Sequence, residues 1–222
     1  MTEIEQNLNR IKSQIPNGVE LVAVSKTKPN ELLQEAYDVG QRVFGENRVP
    51  ELVAKSKTLP NDIEWHMIGH LQRNKVKMIA PFVSLVHAVD SLRLLREIDK
   101  EAKKNNRVIK VLLQFHIAKE QSKFGLSLSE AQVLLNSDNY HSMQNVEIVG
   151  VMGMATFTDD ENQVRNEFKS LKGIFDQLKA KFFSEQGSFK EISMGMSGDY
   201  KIAIEEGSTM VRIGSSVFGN RG

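Results

Sequence analysis

Short β-rich runs alternate along this chain with stretches of helical periodicity, and this alternation constrains the fold more than any other feature. It implies parallel strands joined by crossover helices. Eight strands alternating with helices in 222 residues match the size of a (β/α)8 barrel. The predicted strands are Val19–Ser25, Arg42–Phe44, Glu64–Ile68, Leu85–Val89, Val108–His116, Val146–Met152, Glu191–Met194 and Met210–Ile213.

Helices are predicted between these strands, and a further one precedes the first strand. Residues 2–14 place Ile4, Leu8 and Ile11 on one helical face. The remaining helices are predicted at Pro29–Asp38, 48–57, 71–79, Leu92–Lys104, Ser129–Leu135, 161–183 and 199–205. We therefore predict an α/β fold: a single (β/α)8 TIM barrel domain over residues 1–222 with an extra N-terminal helix.

An open, doubly wound sheet is the alternative architecture for the same alternation. Such sheets that bind dinucleotides carry a GxGxxG turn after the first strand. Here the first strand is followed by SKTKPN, which contains no glycine. The sequence therefore favours the barrel.

Composition excludes several classes of protein. The chain contains no cysteine, which excludes disulfides, thiolate nucleophiles, iron–sulfur clusters and Cys-type zinc sites. Twenty-nine Lys plus Arg against 28 Asp plus Glu give a net charge of +1, so no overall field attracts nucleic acid or acidic membranes. The N-terminal segment is polar and no apolar run approaches the ~20 residues of a membrane span, so a cytoplasmic location is expected.

Lys26 is the first candidate functional residue, because it directly follows the apolar first strand and Ser25. In a TIM barrel the active site lies at the carboxyl ends of the strands. Partial desolvation there favours the neutral amine, which reacts with carbonyl groups to form a Schiff base. The alternative is a lysine that extends to solvent or forms a salt bridge.

Glycine and serine residues are concentrated after strands seven and eight, where barrels commonly bind phosphate. Glycines allow backbone amides to approach an anion, and serines add hydroxyl donors. The residues concerned are Gly195, Ser197, Gly198, Gly214, Ser215 and Ser216. Ordinary turns share this composition, so the pattern alone leaves both possibilities open.

Arg212 lies within the predicted eighth strand, where a buried guanidinium requires a partner. One interpretation is a structural ion pair with Glu191, Glu205 or Glu206. The other is a donor to a ring nitrogen or carboxylate of a ligand.

The five histidines do not match a metal-binding pattern. His66 and His70 are four residues apart but belong to a strand and a loop, and no acidic third ligand has a matching spacing. We expect His66, His87 and His116 to be packed and hydrogen-bonded, and His70 to face a ligand.

Several motifs together resemble the pyridoxal phosphate homeostasis proteins, a family of PLP-binding proteins similar to the barrel domain of alanine racemase. The resemblance covers nearly the whole chain in the same order. The motifs are AVSKTKP (23–29), FGENRVPE (44–51), WHMIGHLQRNK (65–75), VD (89–90), KFG (123–125), GVMGMATF (150–157), SMGMSGDY (193–200) and GSTMVRIGSSVFGNR (207–221).

The resemblance implies pyridoxal 5'-phosphate (PLP) as cofactor and a role for individual positions. Lys26 matches the residue that carries PLP as a Schiff base, and Lys28 does not. Arg212 matches the arginine that faces the pyridine nitrogen. Ser197, Gly214 and Ser215 match the residues that hold the phosphate. Asn47 and His70 match residues at the mouth of the site. The implied cofactor-binding residues are Lys26, Asn47, His70, Ser197, Arg212, Gly214 and Ser215, with no catalytic and no metal-binding residue.

The function implied by the resemblance is non-catalytic: reversible PLP binding for intracellular PLP homeostasis, by buffering or delivery. The alternatives are a weak PLP-dependent amino-acid racemase or decarboxylase, and a cofactor-free aldolase. An arginine opposite the pyridine nitrogen weakens the ring as an electron sink. Strand eight lies near the C-terminus, so the second domain that supplies a racemase with its second base is not expected; Tyr200 is the one candidate substitute.

Expected partners follow from the same resemblance. They are PLP and PLP-dependent apo-enzymes, with no nucleic acid and no membrane. Racemases dimerise through their second domain, so a monomer is expected here.

Overall fold

The computed structural model describes residues 2–119 and 124–219. The motif at 123–125 therefore begins outside the described residues, and the motif at 207–221 ends outside them. The strands are β1 (Glu20–Val24), β2 (Val43–Glu46), β3 (Glu64–Met67), β4 (Leu85–Val89), β5 (Ile109–Gln114), β6 (Val146–Met152), β7 (Glu191–Ser193) and β8 (Met210–Ile213).

Helices connect the strands throughout the described ranges. They are α1 (Glu3–Gln14), α2 (Asn30–Asp38), α3 (Val49–Ser56), α4 (Val76–Ile79), α5 (Leu92–Lys104), α6 (Leu128–Leu135), α7 (Asp138–His141), α8 (Glu161–Phe182), α9 (Tyr200–Glu205) and α10 (Ser215–Phe218). A short 3-10 helix, Arg73–Lys75, precedes α4.

The strands close into a barrel in which every neighbouring pair is parallel. Closure is made by β8 pairing with β1, with Leu21 opposite Val211 and Ala23 opposite Ile213. This confirms the predicted (β/α)8 barrel. The carboxyl ends of all eight strands consequently meet at one face of the molecule.

Apolar side chains fill two layers, one inside the barrel and one between the strands and the helices. Strands of a parallel barrel are buried on both faces, which explains their continuous apolar runs. The interior layer consists of Val22, Val43, Leu85, Ala88, Leu112, Val149, Met152 and Met210. The outer layer is larger and receives side chains from the surrounding helices.

The extra N-terminal helix packs beside the first and last units of the barrel. Ile4, Leu8 and Ile11 are buried, as their spacing predicts. The side chain of Asn7 donates to the Val217 carbonyl oxygen at 3.2 Å, which joins α1 to α10. This helix therefore covers the junction where β8 meets β1.

The structure differs from the predicted elements at β2 and β5. Gly45 and Glu46 extend β2 instead of forming a loop, because they continue the pairing with β3. A Cβ on Gly45 would lie 2.9 Å from Val22 Cγ1, so the close strand packing requires glycine. Strand β5 ends at Gln114, and His116 is exposed, so the prediction that His116 is packed is wrong.

Two further differences concern short helices. The helix predicted at 71–79 is divided into the 3-10 helix and α4. Helices α7 and α10 have four residues each and were not predicted, since periodicity needs a longer segment to be recognised. None of the helices within the described ranges is both long and apolar enough to cross a membrane.

Candidate functional site

A cavity of about 890 Å³ opens at the carboxyl ends of the barrel strands. Its volume falls in the range of sites that enclose small organic ligands. All seven residues predicted to bind a cofactor line it: Lys26, Asn47, His70, Ser197, Arg212, Gly214 and Ser215. A second cavity, of about 300 Å³, lies at the starts of β1 and β2 and contains none of them.

Lys26 lies two residues after the end of β1, in the lining of this cavity. Its side chain is half-buried and lines the cavity together with Lys28. The preceding residue, Ser25, is fully buried, and its hydroxyl donates to Glu46 Oε1 at 2.6 Å. Lys26 thus lies just beyond the carboxyl end of the apolar strand β1, as its position in the sequence predicts.

The residues on either side of Lys26 contact a buried charged cluster that sequence analysis missed. Glu46 of β2 is fully buried, and Lys55 Nζ donates to its Oε1 at 2.7 Å and to the Ser25 carbonyl oxygen at 2.7 Å. Burial raises the pKa of the Glu46 carboxyl, and hydrogen bonds from Lys55 and Ser25 oppose that rise. The available signal was the pair Glu51 and Lys55, which have the i,i+4 spacing of a helical ion pair.

Arg212 lies on β8, the strand next to β1, opposite Val22 in the pairing, with only 4% of its surface exposed. Its Nη1 donates to Ser193 Oγ at 2.5 Å and its Nη2 to the Gly153 carbonyl oxygen at 3.0 Å. No carboxylate forms a salt bridge with it within residues 2–119 and 124–219. Burial lowers the pKa of Arg212 to about 10, and the Asp199 carboxylate, which also lines the cavity, opposes that fall; the guanidinium is charged at neutral pH.

The structural ion pair considered for Arg212 is wrong. Glu205 and Glu206 both bind Arg165 of α8, each at 2.6 Å. Glu191 Oε2 instead accepts from the Thr209 hydroxyl at 2.7 Å. The guanidinium is therefore a buried cation held by neutral groups.

Two histidines extend the contacts of Arg212 through the barrel interior. Ser193 Oγ lies 2.9 Å from His87 Nδ1, and His87 Nε2 lies 3.1 Å from His66 Nδ1. A guanidinium only donates, so Ser193 Oγ accepts from Arg212, and the tautomers of the two rings set the direction of the bonds that follow. Burial lowers the pKa of His66 to about 3 and that of His87 well below its ordinary value, so both rings are neutral.

The predicted packing of His66 and His87 is thus confirmed, with a connection that the sequence did not reveal. Both residues point from neighbouring strands, β3 and β4, into the barrel interior. Their alternation with apolar residues along each strand is the sequence pattern that indicates this burial. Ser193 and Gly153 were missed as contacts of Arg212. The neutral chain satisfies a guanidinium N–H without cancelling the positive charge.

The loops after β7 and β8 meet beside the cavity. The Gly214 N–H donates to Ser197 Oγ at 3.3 Å, which ties one loop to the other. The first bonds into α10 run from Val217 and Phe218 to the Gly214 carbonyl oxygen, so the N–H groups of Ser215 and Ser216 have no intrahelical partner. Hydroxyl and amide donors therefore converge where the sequence predicted an anion site.

A close backbone approach shapes the cavity mouth near Asn47 and His70. A Cβ on Gly69 would lie 2.5 Å from the Asn47 carbonyl oxygen, so glycine is required there. His70 Nδ1 is 3.7 Å from Asp90 Oδ2, and the His70 ring lies 4.2 Å from the Phe124 ring. These contacts orient His70 at the rim, where 43% of its side chain is exposed.

Tyr200 lies outside this cavity, contrary to its suggested role as a substitute base. It is buried in α9, and its hydroxyl donates to Gln14 Oε1 at the end of α1. The phenol therefore serves the contact between these helices. It does not reach the face where a substrate would bind.

Comparison with known proteins identifies the family. The model of the alanine racemase N-terminal domain matches residues 1–222. A pyridoxal phosphate homeostasis protein of Aquifex aeolicus is 38% identical over 206 residues, which cover 92% of this chain and 88% of the relative. The chain belongs to the pyridoxal phosphate homeostasis protein family. The human member is 40% identical over 211 residues, covering 90% of this chain and 76% of its own length.

Solved structures share the fold of this chain. PipY of Synechococcus elongatus, solved with PLP bound, is 34% identical, with a TM-score of 0.87 over 97% of this chain and 100% of its own. Alanine racemase of Clostridium difficile is 14% identical, with a TM-score of 0.78 over 99% of this chain and 60% of its own. At that identity the likeness concerns the barrel alone.

Proposed function

We propose that this protein binds PLP reversibly through Lys26 and takes part in intracellular PLP homeostasis, without substantial catalysis. The observation that carries the proposal is the charge of Arg212. A buried guanidinium held by a hydroxyl and a carbonyl leaves its positive charge facing a cavity that also contains Lys26. An acceptor atom of a ligand would complete its surroundings.

The donor set of the cavity fits PLP. When bound, PLP supplies an aldehyde that condenses with an amine to form a C=N bond with release of water. Lys26 Nζ supplies that amine at the end of β1. Arg212 would hold the ring nitrogen of the cofactor, and Ser197 and Ser215 would offer hydroxyl and amide donors to its phosphate, with Gly214 N–H holding Ser197 Oγ beside it.

Two features of the chain support binding rather than turnover. Arg212 stays charged at neutral pH and can only donate hydrogen bonds, so it opposes protonation of the cofactor's ring nitrogen. An unprotonated ring withdraws electrons less strongly from a bound amino acid. Tyr200, the candidate second base, is engaged by Gln14 away from the cavity. The names of the relatives, which are homeostasis proteins, support the same interpretation.

The exposed side of the site supports release as well as capture. Lys26 is half-buried, whereas Ser215 and His70 are exposed. Water and incoming amines therefore have access to the bond at Lys26 Nζ. We propose on this basis that PLP-dependent apo-enzymes receive PLP from the protein.

The monomeric state, the cytoplasmic location and the single domain over 1–222 stay predictions.

Two measurements on the PLP-loaded protein test this function. It is incubated with L- and D-alanine, serine, ornithine and lysine in deuterated water, and α-proton exchange is followed by NMR. In parallel, it is mixed with a PLP-free enzyme and the regain of that enzyme's activity is timed. We expect no appreciable exchange and a measurable transfer. Rapid stereospecific exchange without transfer would contradict the proposal and favour a racemase.

A further inference from the structure

Two side chains of α3 hold the peptide groups on either side of Lys26. Lys55 Nζ donates to the Ser25 carbonyl oxygen at 2.7 Å, in the peptide that precedes Lys26. Glu51 Oε1 accepts from the Thr27 N–H at 2.6 Å, in the peptide that follows. Lys55 and Glu51 are themselves joined at 2.8 Å. One ion pair therefore fixes the backbone both before and after Lys26.

The backbone conformation at Thr27 requires such a restraint. Thr27 has a φ of 63°, in the left-handed region that β-branched residues rarely adopt. A strained conformation persists when surrounding contacts determine it. The carboxylate of Glu51 provides a charge-assisted acceptor for the N–H of this residue, and such bonds are stronger than neutral ones.

We propose that Glu51 and Lys55 are positioning residues for Lys26: they hold its flanking peptides so that the side chain enters the cavity. This rests on the proposed function, in which Lys26 forms the bond to PLP. Neither Glu51 nor Lys55 lines the cavity, so they act through the backbone of Lys26 rather than on a ligand. The Lys28 N–H also donates to the Ser25 carbonyl oxygen, at 3.1 Å, which closes a turn around Lys26 and Thr27.

Glu51 offers the cleaner test because 23% of its side chain is exposed, against 6% for Lys55. Glu51→Ala removes the acceptor for the Thr27 N–H, while Glu51→Gln keeps an amide oxygen in its place. Glu31→Ala, at an exposed position on α2, is the matched control. We follow the rate at which each variant captures PLP, by stopping the reaction with borohydride and measuring the pyridoxyl peptide at Lys26.

Loss of one hydrogen bond to a charged group corresponds to roughly tenfold or more, so Glu51→Ala should capture PLP at least about tenfold more slowly. Glu51→Gln should recover most of the rate, and Glu31→Ala should match the unmodified protein. Wild-type protein that forms no adduct at Lys26 would contradict the proposed function itself. Normal wild-type capture with an equally fast Glu51→Ala variant would contradict the positioning role alone.

A second measurement on the PLP-free protein is independent of cofactor binding. Hydrogen exchange of the Thr27 amide, observed by NMR, should be slow in the unmodified protein and in Glu51→Gln, and fast in Glu51→Ala. A purely structural role for Glu51 would lower the melting temperature without changing this amide selectively. Unchanged protection of Thr27 in Glu51→Ala would overturn the assignment.

Discussion

The cavity is supported by two buried polar networks that differ in how they treat charge. On the Lys26 side, the Lys55 ammonium contacts the Glu46 carboxylate at 2.7 Å and the Glu51 carboxylate at 2.8 Å. On the Arg212 side, the guanidinium contacts a serine hydroxyl and a backbone carbonyl, followed by two neutral imidazoles. In the first network carboxylates contact the buried cation directly. In the second only neutral groups contact it, and the Asp199 carboxylate acts on it from beyond salt-bridge distance.

This difference distinguishes a network that holds the protein backbone from one that can bind a ligand. A buried cation with its own carboxylates has little left to offer a ligand, so Lys55 can hold backbone but not bind a cofactor. A buried cation with no carboxylate in contact remains costly until an electron-rich atom approaches it. On the proposed function Arg212 gains a partner when a ring nitrogen binds, whereas Lys55 has its partners in the folded protein itself.

The largest expected effect is on the charged network. Lys55→Met should lower the free energy of unfolding by about 3–5 kcal/mol, because it leaves the Glu46 carboxylate buried without its cation. Urea unfolding of the PLP-free protein at neutral pH measures this loss. The double variant Lys55→Met/Glu46→Leu is the control, and it should recover a substantial part of the stability. A change below about 1 kcal/mol for the single variant would mean that Glu46 is not charged in the fold.

The neutral state of the buried histidines near Arg212 should make the stability of the folded protein depend on pH. His66 has a pKa of about 3 in the folded state, below its ordinary value of 6.5. Between these values the unfolded chain binds a proton that the folded protein does not, so stability falls as the pH drops from 6.5 towards 3. The slope approaches about 1.4 kcal/mol per pH unit midway between the two pKa values, so stability should fall by roughly 2–3 kcal/mol from pH 6 to pH 4.

His66→Gln isolates that contribution, since glutamine keeps an acceptor for His87 but does not titrate. Unfolding free energies measured in urea at pH 6, 5 and 4 should therefore fall less steeply for the variant than for the unmodified protein. Parallel slopes would mean that His66 is protonated in the fold, and the neutral hydrogen-bond chain to Arg212 would then be wrong.

The phosphate cradle has a smaller expected effect, which concerns binding alone. Ser197→Ala should weaken PLP binding by about 1.5–3 kcal/mol, because it removes a hydrogen bond to a charged group. Binding of pyridoxal, which lacks the phosphate, should change far less. Titration of both ligands against the same variant provides the comparison, and equal losses would place Ser197 outside the phosphate site.

The smallest expected effect is the change in stability on replacing Arg212, and it contrasts with the large loss expected on replacing Lys55. Arg212→Met should change the stability of the PLP-free protein by only about 1 kcal/mol or less, because relief from burying a charge offsets the lost contacts to Ser193 and Gly153. The same variant should bind PLP more weakly. A stability loss as large as that of Lys55→Met would show that the guanidinium serves the fold rather than a ligand.

Sequence patterns identified the barrel and the lining of the cavity because both depend on local signals. Apolar runs mark the strands, and in a parallel barrel every strand end faces the same side, so Lys26, Ser197 and Arg212 were expected together. The partners of Arg212 could not be found in this way. Ser193 and Gly153 are 19 and 59 residues distant along the chain, and their approach depends on strand register.

The prediction that failed at His116 has the same origin. Its run of apolar residues suggested a strand up to residue 116, but pairing with β6 ends at Gln114 and leaves the imidazole exposed. The buried cluster of Glu46 and Lys55 was missed because β2 extends two residues beyond its predicted end, which turns a loop carboxylate into a core one. Long-range pairing, rather than local preference, decided each of these positions.

The most direct test of the account is the site at which PLP becomes covalently attached. The protein is incubated with PLP, reduced with borohydride, digested and mapped by mass spectrometry, alongside Lys26→Ala and Lys28→Ala. We expect the pyridoxyl group on Lys26 in the unmodified protein and in Lys28→Ala, and no adduct in Lys26→Ala. A pyridoxyl group on Lys28 in the unmodified protein, or an undiminished adduct in Lys26→Ala, would contradict it.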